Sequence, residues 1–239
     1  MNLIRLDSTE STNLYAKQNL SELADKSVIS AERQTAGRGR FDRVWIDLGH
    51  ENLFVSIILK PSNKFETVYT NITQYLSLVL CNVFEEYGLN PQIKWPNDVL
   101  INGKKIAGIL SETVMQGTNF KGLVLGLGVN LNSSAENLKN IKDKEAAALN
   151  LEIGNKIDKE IFLENLLNKF FERYEEFLSK GFPYIKDEYI KRTNFLGKSL
   201  CVRVFNDTKS GTAKYLTGNG ELVLENSGNE ITLTIGDIL

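Results

Sequence analysis

Lys94, Asn97, Asp98, Lys104 and Lys105 fall within twelve consecutive residues, Lys94-Trp95-Pro96-Asn97-Asp98-Val99-Leu100-Ile101-Asn102-Gly103-Lys104-Lys105. Asn-Gly between two apolar runs predicts a two-residue type I′ hairpin, because both central residues of that turn need φ > 0. Cations and a carboxylate on so rigid an element suit an anionic ligand. Taken one at a time, the lysines read better as a solvated hairpin tip and Trp95-Pro96 as a packed corner. Compatible chemistry elsewhere in the chain shifts that balance.

Residues 34–45 supply some of it. Gly37 and Gly39 let backbone N–H groups approach an anion, and Arg38, Arg40 and Arg43 add planar donors suited to phosphate or carboxylate. The loop lacks the Gly-Lys-Ser/Thr ending of a Walker A motif. On its own it reads equally as a solvated arginine-rich turn, and its interleaved aromatics leave an RNA contact open. Gly126-Leu127-Gly128-Val129-Asn130 closes an apolar strand without the dinucleotide-binding glycine spacing. It is either a tightly packed strand end or a rim from which Asn130 meets a ligand. Ser11-Thr12-Asn13 reads as a helix N-cap that could also offer hydroxyl and amide groups to a small polar ligand.

The elements that must carry these groups follow from periodicity. A helix is predicted from residue 12 to about 23, a buried strand over 27–32, the polar loop over 33–49 and a second strand over 52–59, ended by Pro61. Val68, Ile72, Leu76, Val79 and Val83, at spacings of three and four, predict an amphipathic helix within 65–88. The hairpin follows, its second strand reaching about 113, and then a strand over 123–131. Residues 133–155 are polar, with a short helix predicted at 145–149. A helix from Asp158 places Ile161, Leu166, Phe170, Tyr174 and Phe177 on one face, and a short helix follows within 182–191. From about residue 195 four short β runs (200–205, 211–216, 221–224, 231–235) are separated by Gly218-Asn219-Gly220 and similar turns. The chain thus divides into an α/β body at 1–194 and a small antiparallel β module at 195–239.

Composition limits the partners. The 239 residues are 42% hydrophobic and 24% charged, with a net charge of −2, which gives no global footprint for DNA or an anionic membrane. Two cysteines in apolar surroundings, Cys81 and Cys201, read as reduced core thiols. A single histidine, His50, argues against a histidine triad or a multi-histidine metal site. No signal segment and no apolar run near 20 residues is visible, so the expected location is cytoplasmic.

Together, four segments resemble the biotin protein ligase family: Ser11-Thr12-Asn13, Gln34 with Gly37-Arg38-Gly39-Arg40, Lys94-Trp95-Pro96-Asn97-Asp98 with Lys105 and Gly108, and Gly126-Leu127-Gly128-Val129-Asn130. They stand in the family's order and spacing, and Lys94-Trp95-Pro96-Asn97-Asp98 followed by Gly103-Lys104-Lys105-Ile106-Ala107-Gly108-Ile109-Leu110 is the most specific. The resemblance implies an α+β fold: a mixed or antiparallel sheet with flanking helices, like a class II synthetase, plus a small C-terminal SH3-like β-barrel. It implies a two-step reaction in which biotin and ATP form biotinyl-5′-AMP, and a lysine of a biotin carboxyl carrier protein, of acetyl-CoA carboxylase or a similar biotin-dependent enzyme, takes the biotinyl group.

By resemblance, Ser11, Thr12, Asn13, Gln34, Gly37 and Gly108 belong to the biotin pocket, and Arg38, Gly39 and Arg40 to the loop that closes over biotin and its adenylate. Lys105 is the foremost catalytic candidate, with Arg40 beside it, and binds the activated carboxylate and phosphate; Lys104 is its solvated neighbour. Arg38, Arg43, Trp45, Lys94, Asn97 and Asn130 serve the nucleotide, and Asp98 serves Mg2+ or the incoming lysine. The chain departs from many relatives at Phe41-Asp42, where they carry Arg-Gly, and residues 133–149 offer no aromatic clamp for adenine. With Ser11-Thr12-Asn13 so near the N-terminus, no repressor helix-turn-helix is expected, and neither nucleic acid nor membrane is an expected partner. A homodimer stays open. The alternatives are a lipoate- or octanoate-handling relative, which has no ureido ring to bind; a nucleic-acid-binding module; and a biotin sensor that would tolerate loss of Lys105.

Overall fold

The computed structural model describes residues 2–41, 43–49, 51–141 and 145–239, so Asp42 and His50 lie outside the described residues. Among these, the elements in chain order are β1 (Leu3–Leu6), α1 (Thr12–Gln18), β2 (Val28–Ala31), β3 (Leu53–Leu59), α2 (Ile72–Glu86), β4 (Pro91–Lys94), β5 (Asp98–Ile101), β6 (Lys104–Gln116) and β7 (Asn119–Val129). Then come α3 (Ala135–Leu138), α4 (Leu149–Ile153), α5 (Lys159–Glu172), α6 (Tyr174–Lys180), α7 (Lys186–Lys191), β8 (Ser199–Val204), β9 (Asp207–Leu216), β10 (Leu222–Asn226), β11 (Asn229–Leu233) and β12 (Asp237–Ile238). Contacts divide the chain into two units: Met1–Glu66 with Gly103–Asn165, and Thr67–Asn102 with Leu166–Leu239. The expected boundary at 195 falls inside the second unit.

In the first unit β1, β2, β3, β7 and β6 lie side by side in that order. β1, which the sequence reading missed, runs parallel to β2, and the remaining pairs are antiparallel. Because side chains alternate along a strand, register decides which residues share a face. One cross-strand row is Ile29, Ser56, Gly126 and Leu110; the next is Ala31, Phe54, Gly128 and Gly108. α1 covers part of this face: Ala16, with Leu20 and Leu23 just beyond the helix, packs against Ile29, Ile58 and Val124. α1 stops at Gln18 rather than near residue 23; at its end the Asn19 side chain and backbone N–H both donate to the Tyr15 carbonyl, at 2.8 and 3.1 Å. The short helix expected at 145–149 instead begins at Leu149, because Glu145 and Ala147 hydrogen-bond to the backbone of Lys105.

The second unit is built on aromatics. The Tyr75 ring of α2 stacks on Phe177 at 4.5 Å, and Phe170 stacks on Tyr174 at 5.3 Å, the apolar face expected of that region. Two departures are clear: the expected single helix breaks at Arg173, which pairs with Glu188 and Tyr184, and Ile161, which falls in the first unit, is 63% exposed. β4 and β5 form an antiparallel pair in which Lys94 faces Asp98. The Asn102-Gly103 link after β5 has φ of 51° and 77°, the positive pair a type I′ turn requires. The small β module is a five-stranded antiparallel sheet in the order β11-β10-β9-β8-β12, with an open ladder and an unforeseen final strand, β12. Of the two thiols, Cys81 is buried as expected, but Cys201 is exposed because it alternates outward on β8. Among the described residues, no helix is long and apolar enough to cross a membrane.

Candidate active site

Glycine makes the floor of the first unit's site. A Cβ at Gly126 would stand 2.2 Å from Asn13 Oδ1, and one at Gly128 would stand 2.5 Å from the Trp45 indole. A Cβ at Gly108 would meet Trp45 at 2.7 Å and Lys105 Nζ at 3.0 Å. Their missing side chains let Asn13 and Trp45 lie against the sheet itself.

Over the first row lies a buried polar network. The Thr12 backbone N–H, which has no partner within the helix at the start of α1, donates to Gln34 Oε1 at 2.8 Å, and the Thr12 hydroxyl donates to the same oxygen at 3.1 Å. Gln34 thereby does the capping expected of Ser11, whose buried side chain makes no cap bond. Ser56 Oγ donates to Asn13 Oδ1 at 2.6 Å and stands 2.8 Å from the Thr12 hydroxyl. Asn13 Nδ2 donates to the Leu110 carbonyl and to Glu112 Oε2 at 2.9 Å, so both ends of that amide are held by the protein.

Glu112 gathers three elements. It accepts from Lys17 at 2.8 Å and from Asn13, and Arg38 Nη1 lies 3.6 Å away. Burial works to raise its carboxyl, but the hydrogen bonds from Lys17 and Asn13 and the charges of Lys17 and Arg38 outweigh burial and hold it below the usual carboxylate range. Ser56 and Glu112 are the residues the sequence reading missed. Each left a signal: a lone hydroxyl in the apolar run Leu53–Leu59, and a carboxylate two and four residues beyond Leu110 and Gly108 on one strand face.

Over the second row, residues 37–39 pair antiparallel with residues 43–45. Trp45 N–H donates to the Gly37 carbonyl at 2.9 Å, Gly39 N–H to the Arg43 carbonyl at 2.7 Å, and Arg38 faces Val44. Gly37 is required because a Cβ would lie 2.4 Å from Trp45 O. Alternation turns Val44 outward, 73% exposed, and Trp45 inward over the glycines. The Arg40 guanidinium sits 4.9 Å from the ring of Phe41, a residue with φ of 54°. Lys105 Nζ lies 5.3 Å from the Trp45 ring centroid, and the Lys105 backbone is tied to Glu145 and Ala147 at 2.9 Å on either side. Lys104 is exposed, and its ammonium lies 3.9 Å from the exposed Glu145 carboxylate. Asn130 is buried and donates to the Ala147 carbonyl at 3.0 Å. One unit therefore gathers Thr12, Asn13, Gln34, Gly37, Arg38, Trp45, Lys105, Gly108 and Asn130.

Lys94, Asn97 and Asp98 belong to the second unit. Asn97 and Asp98 are buried, Lys94 is half-buried, and the Trp95-Pro96 bond is cis. Among the described residues, no three His, Cys, Asp or Glu side chains cluster as a metal cage. Asp98 supplies a buried carboxylate, the donor type that Mg2+ takes singly or in pairs while phosphate oxygens and water fill its remaining positions.

Similarity to known proteins bears on the family of the chain. The model of the biotin/lipoate A/B protein ligase family matches residues 3–130. The bifunctional ligase/repressor BirA of Bacillus subtilis is 31% identical over 224 residues, which span 93% of this chain and 69% of that protein. A biotin acetyl-CoA-carboxylase ligase of Paracoccus denitrificans is 28% identical, with 92% of each chain covered. The biotin protein ligase of Aquifex aeolicus, solved in complex with biotin and ATP, superposes with a TM-score of 0.84 at 26% identity, covering 100% of this chain and 97% of that one. The chain belongs to the biotin/lipoate A/B protein ligase family.

Proposed function

We propose that this protein is an ATP-dependent biotin protein ligase that biotinylates a lysine of a biotin carboxyl carrier protein. The observation that carries the reading is the glycine-floored face. It sets a hydroxyl- and amide-rich network (Thr12, Gln34, Ser56, Asn13) one row, about 7 Å, from a lysine and an indole (Lys105, Trp45). A ureido ring offers two N–H donors and one carbonyl, which suits the first row; a carboxylate being activated on a phosphate suits the second.

In the first step a biotin carboxylate oxygen attacks the ATP α-phosphorus, and the bond to the bridging oxygen breaks to release pyrophosphate. In the second the carrier amine attacks the acyl carbon, AMP leaves, and the amine loses a proton. Thr12 and Gln34 hold the ureido group, while Asn13, engaged at both ends, keeps Ser56 and Glu112 in place. Lys105, Arg38 and Arg40 neutralise the charge that builds on the phosphate, a contribution that fixed donors in a shielded site make without reorganising. Arg43, Trp45, Asn130, Lys94 and Asn97 serve the nucleotide, and Asp98 would hold Mg2+, which supplies charge neutralisation on the phosphates when bound. The working division is a catalytic body at 1–194 and an accessory β module at 195–239. The need for ATP and unmodified carrier places the enzyme in the cytoplasm, and no step calls for a second copy of the chain.

Mixing the protein with biotin, MgATP and an unmodified carrier domain should raise the carrier's mass by one biotinyl group. No mass gain, together with no biotin-dependent pyrophosphate exchange, would sink this reading. Lipoate or octanoate in place of biotin should support little exchange.

A further inference from the structure

Gly220, in the turn between β9 and β10, sits where no other residue fits. Its φ is +73°, and a Cβ there would come within 2.6 Å of Gln74 Oε1 and 2.7 Å of Asn71 Nδ2. Gly218, in the same turn, has nothing within 4 Å of its Cβ position. Three buried side chains converge on this turn. Trp95 Nε1 donates to the Gly220 carbonyl at 3.0 Å, Gln74 Nε2 donates to the same oxygen at 2.9 Å, and Asn71 Nδ2 donates to the Asn219 carbonyl at 2.7 Å. Two donors fill both lone pairs of the Gly220 oxygen. Trp95, Gln74 and Asn71 are 2%, 3% and 5% exposed, so water cannot replace a lost partner.

Trp95 is flanked by Lys94 and, across Pro96, by Asn97. β4 ends at Lys94 and β5 begins at Asp98, leaving a three-residue link in which the buried Trp95 indole is anchored. We propose that the β9–β10 turn is the positioning element of that link: the Gly220 carbonyl fixes the Trp95 indole, and the indole sets Lys94 and Asn97 where the nucleotide needs them. The C-terminal sheet thus tunes nucleotide binding from a distance of 125 residues in sequence. The inference rests on the assignment of Lys94 and Asn97 to ATP made above.

Gly220→Ala, Gly218→Ala and Trp95→Phe test it, each read by pyrophosphate exchange, calorimetric titration with ATP and thermal melting. A misplacement near 1 Å costs up to about 100-fold, so Gly220→Ala and Trp95→Phe are expected to weaken ATP on the order of tenfold. The KM for biotin, whose assigned residues lie in the first unit, should stay unchanged, and Gly218→Ala should match the wild type. Folded Gly220→Ala that binds ATP normally would overturn the proposal. So would a parallel rise in both substrate constants tracking a lowered melting temperature, which is what a merely structural role produces. If Gly220→Ala fails to fold, Trp95→Phe decides alone, and an unchanged ATP constant there overturns the proposal. Absence of exchange in the wild type would strike the proposed reaction, while the ATP titration, which needs no turnover, still judges this inference.

Discussion

In the first unit Gly108, Gly126 and Gly128 lie on strands, and Asn13 and Trp45 occupy the space of their missing Cβ atoms. In the second unit Gly220 lies in a turn, and the space belongs to Asn71 and Gln74, whose partners are backbone carbonyls. The chemical device is the same and its use differs. On the strands, glycine lowers a floor beneath groups that come from a helix start and a loop, the segments suited to bind a ligand. In the turn, glycine admits a buried lock that holds another segment still. Burial of the covering group does not by itself separate the two uses: Trp45 is partly exposed, but Asn13 is as buried as Asn71 and Gln74, and the difference lies in the segment each glycine serves.

Substitutions can break or sharpen that contrast. The largest effect is expected from Lys105→Ala, the cation beside Trp45. Losing one preorganised charge-stabilising group typically costs about 100- to 1,000-fold, so adenylate formation should slow by that order with the melting temperature unchanged. Unchanged single-turnover kinetics would remove Lys105 from its role. Next comes Gly126→Ala, whose Cβ meets Asn13 Oδ1 and must lift the first turn of α1; overpacking of this kind costs about 1–3 kcal/mol. Thermal melting and biotin titration should fall together. Gly128→Ala meets the indole of Trp45, which sits on a loop and can give way, so its main cost should appear in nucleotide affinity. Equal stability losses in the two variants would erase the distinction between a helix-borne and a loop-borne cover.

Glu112→Gln should cost about 1 kcal/mol at neutral pH through weakened charge-assisted hydrogen bonds to Lys17 and Asn13. Its folded carboxyl lies below the usual range, so the stabilisation is present above the unfolded carboxylate pKa and is lost as pH falls through the folded one. The stability gap between wild type and variant should therefore narrow on acidification; a gap constant with pH would contradict the assignment. Lys104→Ala should change least, within about 0.5 kcal/mol and with wild-type exchange, because its pairing with Glu145 is exposed on both sides.

That Lys104 is the more solvated of the two adjacent lysines was legible in the chain. So was the Asn102-Gly103 turn, whose positive φ pair is a local backbone preference, and the aromatic face over Phe170, Tyr174 and Phe177, which follows from helical period. β1 escaped notice because four residues, Leu3–Leu6, are too few to show a period, and the strand exists only through pairing with β2. Ser56 and Glu112 escaped for a related reason: a serine or glutamate in a strand gains meaning only when register shows what stands across from it.

By itself, the sequence determined which segments hold residues suited to chemistry and much of the local shape each takes, since side-chain type, turn dihedrals and hydrophobic period are short-range properties. Tertiary structure alone decided what covers each glycine. Gly126 meets Asn13 and Gly220 meets Gln74 across 113 and 146 residues of chain, and only strand register and burial bring such distant groups within hydrogen-bonding range.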